Sequence, residues 1–596
     1  MISLPDPYSL SLWWRLSAAF LLFFFFAVQK VRAYNRLKAF NGPFLAGWTE
    51  AWHAWAILGF KSHLKYDAVC RKYGTIARVG PNDLVTSSPE LLVHMNGVRS
   101  RYTRTEWFYR ACRHRPDKDH VFSEMDEEKH RQLRQQMGSG QYSGKENEGL
   151  EDSVDTHVSE LVRLIRSKYA STEAAARPMD FARKIQYLTL DVISDISFGK
   201  AFGDLRADED VLGIAESSEA GIVVFTYGIA LGLYKILHRP LFARLLGPKE
   251  TDATGWGRMF ANGRAIVRER LALEAQGGEQ RRSDMIASFI RHGLAEEEIL
   301  SETTLQMIAG SDTTAASLRT IMLYLMTHPR VYAKLQAEID ASATAAAGGS
   351  VVSDARCRGL PYLQAVIREG MRVHPPVTNM DPKRVPDGGD TVVVDGETVF
   401  LPGGTNVSCA AWPLHINEDV FGRDAGAFRP ERWLLERSEG RLARMHRVHE
   451  LMFGYGKYQC LGRPIAMMEI GKTVYESISA EIEIQAPPAA VRSVFLDFQR
   501  YKQWSEKWKL EPTESSKSPS DLKNGDQIQV VMGDMKFKPV IKENTSEALL
   551  WLGSLPGIFS GLHEFHFQPS QVNPGGTRFV QIENFTGLLA FFMGPG

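Results

Sequence analysis

The hydrophobic pattern of this 596-residue chain begins with one strongly apolar segment. Residues 16–28 are uncharged, but at about 1.5 Å per residue they cover only about 20 Å of a hydrocarbon core about 30 Å thick. The longer stretch 8–29 spans the whole core, because Arg15 can extend its charge to the interface beside Trp13 and Trp14. The pattern therefore predicts a transmembrane anchor at residues 8–29.

A cleaved signal peptide is the alternative for this segment. No clear small-x-small cleavage site follows it, which favours an anchor. Four basic residues come directly after the apolar run: Lys30, Arg32, Arg36 and Lys38. Positive charge on this flank predicts that the rest of the chain lies on the cytosolic side of the membrane. Residues 41–43, Asn-Gly-Pro, are expected to form a hinge between the anchor and the body.

The middle of the chain has a mostly helical periodicity over residues 52–346, with a short strand predicted at 76–79. The stretch 296–326 is long enough for one helix that crosses the whole domain. Its centre, AGSDTT, contains five poor helix formers in succession, which predicts a local widening of the helix. Segments 391–394 and 398–401 alternate and predict a small hairpin. The predicted class is mainly α with small β-sheets.

The pattern changes again at residue 477. An alternating strand, a Pro-Pro helix start and an apolar-periodic helix ending near Trp504 come first. Strand-like segments follow at 526–532, 535–542, 548–555, 562–568 and 577–584. We therefore expect an α+β domain over residues 477–596, after a larger domain over residues 44–476.

Composition narrows the function only slightly. The chain has 70 basic and 70 acidic residues, so its net charge gives no indication of a nucleic-acid partner. Its five cysteines are odd in number and include no C-x-x-C pair, which argues against a disulfide framework and against a structural zinc site. A reducing, cytosol-facing compartment fits this cysteine usage.

One cysteine, Cys460, stands in the glycine-rich segment FGYGKYQCLG, residues 453–462. A lone cysteine is usually a small buried apolar residue. Here an apolar helix-like run follows directly, and the N–H groups at its start can stabilise a thiolate. Gly462 lets the chain approach a flat ligand, and Phe453 can shield the sulfur from water. The pattern indicates that Cys460 is the thiolate ligand of a haem iron.

These ten residues resemble the haem-binding signature of the cytochrome P-450 family, F-G-x-G-x-R-x-C-x-G, at every fixed position except one. Tyr458 stands where the family has an arginine that reaches a haem propionate, and adjacent Lys457 is expected to replace that contact. The resemblance implies thiolate-ligated haem b as the cofactor, with Cys460 as the axial ligand.

Three further residues correspond to propionate contacts of the family. The segment KHRQLRQQM places His130 and Arg134 on one helix face, which by itself is typical of a solvated charged surface. The family has tryptophan and arginine at this spacing, so His130 replaces the tryptophan and Arg134 matches the arginine. Arg384, in PKRVPDGG, stands where the family directs a strand arginine at a propionate.

The polar centre of the long helix matches the acid–alcohol pair of the family at Asp312 and Thr313. A helix that merely tolerates polar residues against a buried neighbour is the simpler interpretation. The resemblance implies a catalytic role, because cleavage of dioxygen requires protons from an acid and an alcohol near the metal.

A structural network is implied by two other motifs. Glu369 and Arg372 lie at i and i+3 in LPYLQAVIREGMRVHPP and can pair on a helix. Arg432, in FRPERW, corresponds to the third member of the buried Glu–Arg–Arg network of the family. These three residues are expected to hold the haem-binding core rather than to take part in catalysis.

The C-terminal part, residues 480–596, resembles the START-like polyketide cyclase/dehydrase (SRPBCC) superfamily and its helix-grip fold, in which one helix precedes a curved antiparallel sheet. That fold ordinarily ends in a long helix, which is missing from the sequence here, so we expect an incomplete module. Cytochrome P-450 proteins ordinarily continue with strands that close the substrate pocket, and this chain departs from that pattern at residue 477.

The expected function is that of a single-pass haem monooxygenase of the endoplasmic reticulum membrane, with its catalytic domain facing the cytosol. The segments around the cysteine look most like fungal microsomal, pisatin-demethylase-like members, which implies that one atom of O2 is inserted into a small hydrophobic substrate of specialised metabolism. Because no nicotinamide or flavin fingerprint stands out, electrons are expected from NADPH–cytochrome P-450 reductase.

Two alternatives remain open. A haem-thiolate isomerase or dehydratase needs no external electrons, but the Asp312–Thr313 pair argues against it. A lipid-binding or interaction protein with a defunct oxidase half belongs to a different class, and the join of two neighbouring genes would produce the same sequence.

Overall fold

The computed structural model describes most of the chain. The described residues are 7–115, 117–138, 142, 146–147, 149–170, 177–253, 255–276, 284–343, 351–435, 438–479, 483–484, 486–500, 508–514, 516–532, 535–555, 559–569 and 575–586.

Helices dominate up to residue 479. Helices α1 to α24 are, in chain order, Pro7–Arg36, Ala51–Leu58, Ser62–Tyr73, Pro89–Asn96, Glu106–Tyr109, Glu127–Gly138, Leu150–Leu164, Phe181–Phe198, Asp204–Ala207, Ile214–Ala230, Tyr234–Leu237, Pro240–Leu246, Gly255–Ala275, Met285–Arg291, Glu296–Thr327, Pro329–Ala343, Asp354–Arg358, Pro361–Val373, Ala411–His415, Glu418–Phe421, Arg432–Leu435, Glu439–Glu450, Arg463–Ser479 and Pro488–Leu496.

The strands fall into small sheets. Strands β1 to β15 are, in chain order, Ile76–Arg78, Asp83–Thr86, Thr103–Arg104, Asn379–Arg384, Asp390–Val394, Glu397–Leu401, Asn406–Ala410, Glu483–Ile484, Trp508–Pro512, Ile528–Met532, Met535–Phe537, Val540–Asn544, Ala548–Leu555, Phe559–Pro569 and Thr577–Thr586. The sheet orders are β1-β2-β7-β4-β3, β5-β6, β11-β10-β9 and β12-β13-β14-β15-β8. In the first sheet only the β2–β7 pair is parallel.

Local sequence signals account for the main boundaries. Helix α15 starts where the Glu298 carboxylate accepts the N–H of Ala295 at 3.0 Å, and it ends before Pro329, as the sequence predicts. The β5–β6 hairpin turns at Asp395 and Gly396, which both have positive φ. The long helix and the hairpin therefore form where periodicity and turn residues predict them.

The main hydrophobic core lies among helices α7, α8, α15, α18 and α23. Leu188, Leu318, Val366 and Val474 are completely buried in it. Helix α15 packs against both α8 and α23, so its centre lies inside the domain. The mainly α class with small sheets is confirmed for this part of the chain.

The C-terminal strands have a hydrophobic cluster of their own, drawn from residues 491–567 and including the buried Trp551. Helix α24 packs on β14, and β15 packs against α16 of the preceding domain. Helix α24 ends at Leu496, earlier than expected, and Trp504 lies outside the described residues. The strand expected over 535–542 is two strands, β11 and β12. Residues 587–596 also lie outside the described residues.

At the N-terminus, the described chain has one helix long and apolar enough to cross a membrane, over Trp14–Arg36. It continues beyond the expected limit at residue 29 and reaches the first sheet. Its 23 residues span about 35 Å, enough for a hydrocarbon core. The most apolar part of this helix has no buried residue, which is consistent with membrane anchoring.

The end of this helix is fixed to the body by Arg78. The guanidinium group is buried and donates hydrogen bonds of 2.8 to 3.2 Å to the carbonyl oxygens of Ala33, Tyr34, Gly47, Gly80 and Pro81. The last carbonyls of a helix have no partner within the helix, so a cation there is favourable in both charge and hydrogen bonding.

The hinge expected at residues 41–43 is not what the structure shows. The N–H of Arg78 donates to the carbonyl oxygen of Asn41 at 2.8 Å. A Cβ at Gly42 would lie only 2.1 Å from the carbonyl oxygen of Arg78. The segment is therefore packed tightly on strand β1, and its glycine is required for close contact rather than for bending.

We expect Arg78→Ala to lower the free energy of unfolding by about 3 kcal/mol, because it leaves buried carbonyl oxygens without donors. Urea titration of the full-length protein, followed by tryptophan fluorescence, measures the change. Arg71→Ala is the matched control: Arg71 is an exposed arginine paired with Asp67 one helical turn away at 2.9 Å, and its loss should cost at most about 1 kcal/mol. Equal effects of the two variants would show that the hydrogen bonds of Arg78 do not fix the end of α1 to the body.

Candidate active site

The cysteine loop is held open by two glycines in the left-handed region. Gly454 has φ of 73° and Gly456 has φ of 57°, conformations that residues with side chains rarely adopt. A Cβ at Gly456 would also lie 2.3 Å from the carbonyl oxygen of Asn96. The N–H of Cys460 donates to the carbonyl oxygen of Phe453 at 2.7 Å, which closes the loop directly before α23.

The sulfur of Cys460 lies just before α23, near the backbone N–H groups of Gly462 and Arg463. The side chain is accessible to solvent, but protein surrounds it closely. This burial raises the pKa of the Cys460 thiol, whereas the two N–H groups and the charge of Arg134 act to lower it. N–H groups at a helix N-terminus therefore lie near the sulfur.

Two buried cations face each other on neighbouring strands of the first sheet. Arg104 of β3 is paired directly with Lys383 of β4, and they are only 4% and 0% exposed. Like charges directly opposite on paired strands destabilise a sheet unless something compensates them. Arg104 forms no ion pair with a carboxylate in the described chain, and its buried Nε has no hydrogen-bond partner there.

His130 and Arg134 of α6 lie beside these cations. The Arg104 guanidinium donates to Nε2 of His130 at 2.7 Å. Burial, together with the charges of Arg104, Arg134 and Lys383, lowers the pKa of His130 to about 2. The imidazole is therefore neutral, and no ion pair joins Arg134 to a carboxylate among the described side chains.

At position 458, the aromatic ring of Tyr458 stands where the haem-binding signature has a charged arginine. Its ring centre lies 4.7 Å from the Arg104 guanidinium and 3.7 Å from the Lys383 ammonium group, positions in which the π-face attracts cations. Its hydroxyl donates to Glu127 at 2.6 Å. Lys457 is at the edge of this group, where its Nζ lies 3.1 Å from Glu127 and is bound to the carbonyl oxygens of Ser100 and Tyr102. Lys457 is thus already partnered in the structure, and its contact with a propionate stays a prediction.

Arg384 already has a partner in the structure. Its guanidinium pairs with Asp387 at 3.2 Å, and its side chain is about half exposed. Because side chains alternate along a strand, the residue of β4 that faces the cations is the preceding one, Lys383. Lys383 is buried and donates to the hydroxyl of Tyr109 at 2.7 Å. The buried cation that β4 adds to the group is therefore Lys383, whereas the contact of Arg384 with a propionate stays a prediction.

These residues fit a haem. The ligand chemistry requires a thiolate with N–H donors, and the two propionates require cations that are not already paired with carboxylates. Cys460 meets the first requirement, and Arg104 and Arg134, which form no ion pair with a carboxylate among the described side chains, meet the second. Buried Lys383 and neutral His130 lie beside them. Nε of Arg104 is a buried donor without a hydrogen-bond partner in the described chain. An anionic ligand would accept its hydrogen bond.

The centre of α15 carries Asp312, whose carboxylate is bound from two neighbouring helices. Gln186 of α8 donates to Oδ1 at 2.7 Å, and Ser218 of α10 donates to Oδ2 at 2.6 Å. Arg319 donates in turn to the carbonyl oxygen of the Gln186 side chain at 2.8 Å, which fixes the orientation of that amide.

The expected widening of this helix is wrong, since α15 is continuous over Glu296–Thr327. The hydroxyls of Ser311, Thr313 and Ser317 each donate to the carbonyl oxygen four residues earlier, at 2.6 to 3.0 Å. They share these carbonyls with the helical N–H groups without opening the turn. Thr313 is half-buried, one residue after Asp312.

The Glu369 carboxylate joins the expected network and accepts five donors. Arg372 binds it in two hydrogen bonds of 2.9 and 2.8 Å, and Arg432 adds one of 2.7 Å. The Trp433 indole and the N–H of Arg429 complete the set, each at 2.9 Å. Both guanidinium groups also donate to backbone carbonyls of residues 415–427. The network ties α18 to the segment that leads into α21.

Comparison with known proteins shows the family of the chain. The sequence profile of the cytochrome P-450 family matches residues 46–478. The chain belongs to the cytochrome P-450 family. The match covers α2 to most of α23 and therefore includes every element of the site described above.

Curated fungal relatives are similar over most of their length. The chain is 39% identical over 465 residues to the cytochrome P-450 monooxygenase ABA1 of Pyricularia oryzae, covering 76% of this chain and 88% of that protein. It is 34% identical over 448 residues to the monooxygenase aba1 of Botryotinia fuckeliana, covering 74% and 86%. It is 30% identical over 493 residues to the monooxygenase mpaDE' of Penicillium brevicompactum, covering 80% of this chain but 56% of that protein.

Family membership makes this protein a monooxygenase that uses thiolate-ligated haem iron, O2, a redox partner and a hydrophobic substrate. When bound, the haem supplies the redox chemistry that activates O2. The protein supplies a sulfur stabilised by N–H donors, a group of cations and an acid held at the centre of α15.

Sequence reasoning missed Arg104 and Lys383. Arg104 lies in a two-residue strand, and neither of its neighbours in sequence carries a motif. Lys383 could have been chosen over Arg384 from the alternation along β4, but only the pairing with β3 shows which face is buried.

We expect Glu369→Ala to lower the free energy of unfolding by about 3–5 kcal/mol, since it leaves the buried Arg372 guanidinium without a carboxylate and leaves Arg432 with only the partly exposed Asp424 at 3.1 Å. The haem content of the purified protein should fall with it. Glu431→Ala is the control, because Glu431 lies next to Arg432 but accepts only Tyr362 at 2.7 Å and Lys334 at 3.3 Å. Normal haem content in Glu369→Ala would show that the network does not hold the site.

Proposed function

We propose that Cys460 is the axial thiolate ligand of the haem iron. The observation that carries this assignment is the position of its sulfur just before α23, where the N–H groups of Gly462 and Arg463 act to lower the pKa of the thiol. A Cβ at Gly462 would lie 3.9 Å from the sulfur, so the chain passes close to the ligand atom here. Phe453, which bonds back to Cys460 through its carbonyl, would shield one side of the sulfur.

The propionates would be bound by Arg104, Arg134 and Lys383, with neutral His130 as a further partner. The mutual repulsion of these cations destabilises the site when no anion is bound. A bound anion offsets this repulsion. Tyr458 would hold Arg104 and Lys383 in position, because its ring faces both cations while its hydroxyl is fixed by Glu127.

Asp312 and Thr313 would deliver protons to the reacting oxygen. The Asp312 carboxylate accepts from Gln186 and Ser218, so it can exchange a proton with Ser218, and rotation about its side chain would bring it toward Thr313. The Thr313 hydroxyl donates only to its own helix, at 2.9 Å, and its oxygen is free to accept a second hydrogen bond. A held acid beside an alcohol supports dioxygen activation over an isomerase or dehydratase, which needs no such relay.

The reaction would insert one atom of O2 into a small hydrophobic substrate of fungal specialised metabolism. The named relatives are fungal monooxygenases, and helix α1 supports a single-pass anchor. Four basic residues after the apolar run, including Lys30 and Arg32, support a cytosol-facing domain in the endoplasmic reticulum membrane. NADPH–cytochrome P-450 reductase would be the electron donor.

The C-terminal part would be a START-like module that plays no role in the haem chemistry. Helix α24 on an antiparallel five-stranded sheet, with a separate hydrophobic cluster over residues 491–567, supports a folding unit of its own. The family match ends at residue 478, next to the expected boundary at 477.

We expect the reduced protein to bind carbon monoxide with the red-shifted Soret band of thiolate-ligated haem, and Cys460→Ser to abolish that band. The control is Cys357→Ser, which changes a cysteine that is buried against α23. The carbon monoxide difference spectrum of the purified proteins is the measurement. A persistent band in Cys460→Ser would assign the ligand to another residue.

We expect Asp312→Asn and Thr313→Val to retain the carbon monoxide band but to release hydrogen peroxide in place of product, because the proton supply is interrupted. The measurement is the ratio of peroxide formed to NADPH consumed, which should rise several-fold. Ser311→Ala is the control, since its buried hydroxyl donates only to the Met307 carbonyl oxygen. An unchanged ratio in both variants would remove the relay assignment.

A further inference from the structure

A second group of ligand-type side chains lies near the end of helix α1. Glu50 precedes α2, His53 belongs to α2, and Asp83 begins β2. One ligand atom from each lies within 4.8 Å of the other two. Segments distant in the sequence thus bring an imidazole and two carboxylates together.

The described protein provides no counter-ion for this group. Asp83 is 6% exposed, and its Oδ1 accepts the side-chain amide of Asn406 at 2.9 Å. Lys30, Lys235 and Arg36 act on these carboxylates electrostatically, but none of them forms a salt bridge with Glu50 or Asp83 in the described chain. Lys30 donates to the Trp48 carbonyl oxygen and Arg36 to the Gly403 carbonyl oxygen, both at 3.2 Å. Two carboxylates at this distance, one of them buried, require a shared proton or a cation.

The His53 imidazole is directed into the same space. It is 8% exposed and forms no hydrogen bond with any residue that the structure describes. Its ring is held edge-on against Trp107, with 5.3 Å between the ring centres. A buried imidazole normally has a partner for its nitrogens, so this nitrogen is available as a ligand beside the two carboxylates.

Gly80 keeps the space between the carboxylates open. A Cβ at this position would lie 2.9 Å from Oδ2 of Asp83 and 2.9 Å from Oε2 of Glu50. Its φ is not in the left-handed region, so the backbone does not require glycine here. The absence of a side chain therefore provides room for a ligand.

We propose that Glu50, His53 and Asp83 form a binding site for a divalent transition-metal cation, with zinc as the best match. One imidazole nitrogen and two carboxylate oxygens are a ligand set that zinc accepts, with water in the fourth position. Glu50 is exposed, which gives the ion a route from solvent. The side-chain amide of Asn406 donates to Oδ1 of Asp83 and so fixes the orientation of this carboxylate. The metal would link α2 to β2, close to the hydrogen bonds by which Arg78 fixes the end of α1.

A second cluster of the same composition serves as the internal control. His157, Glu160 and Asp191 also bring ligand atoms within 4.8 Å of one another. There, the His157 nitrogens already contact Glu160 at 3.1 Å and Asp195 at 3.3 Å, and Glu160 accepts from Arg206 at 2.9 Å. Because its charges are already paired, this cluster should not bind zinc.

The test is calorimetric titration of zinc chloride into the full-length haem protein after treatment with a chelator, together with the zinc content by mass spectrometry. We expect one zinc ion per chain, and at least tenfold weaker binding in His53→Ala and in Gly80→Ala. Glu50→Gln changes an exposed residue. Its effect on zinc binding can therefore be measured even if a substitution at a buried position disturbs folding. The carbon monoxide band of each variant reports whether the fold is intact.

His157→Ala should bind zinc as the unaltered protein does. The proposal is overturned if zinc does not bind, which would leave a proton shared between the carboxylates. It is equally overturned if Glu50→Gln and His53→Ala both bind zinc with unchanged affinity, or if His157→Ala removes the binding.

Discussion

The buried Glu369 carboxylate is the constraint on which the haem domain depends. It accepts hydrogen bonds from Arg372, Arg432 and Trp433, in a region with almost no access to solvent. An ionised group at such a position is tolerated only when every lone pair has a donor. Because the two guanidinium groups extend to backbone carbonyls of residues 415–427, this pairing also fixes the segment that precedes the cysteine loop.

The cations near the cysteine differ from the Glu369 network in how their charges are compensated. Arg104 and Lys383 are buried directly opposite each other. Arg104 forms no ion pair among the described side chains, and the Tyr458 ring lies against both cations while neutral His130 accepts from Arg104. The Glu369 carboxylate thus has its donors within the protein, whereas the buried Nε of Arg104 has no hydrogen-bond partner in the described chain. This difference separates residues that hold the fold from residues that hold a cofactor.

The anchor helix is joined to the same small sheet that carries these cations. Arg78, in β1, binds the last carbonyls of α1, and the sheet continues through β2, β7 and β4 to β3. The helix that is suited to a membrane is therefore connected to the haem side of the domain through one sheet. A rigid connection of this kind fixes the orientation of the site relative to the helix axis, which a flexible linker would not do.

The sequence by itself determined the elements whose signals are local. Periodicity predicts α15, turn residues predict the β5–β6 hairpin, and the spacing of Glu369 and Arg372 predicts their pairing within one helix. The cysteine loop is equally local, since its glycines and Cys460 lie within ten residues. Only the tertiary structure decided which cations meet, because the pairing of β3 with β4 selects Lys383 over Arg384 and adds Arg104. Such contacts depend on strand register and on which face is buried, and a short strand carries no sequence pattern that specifies either.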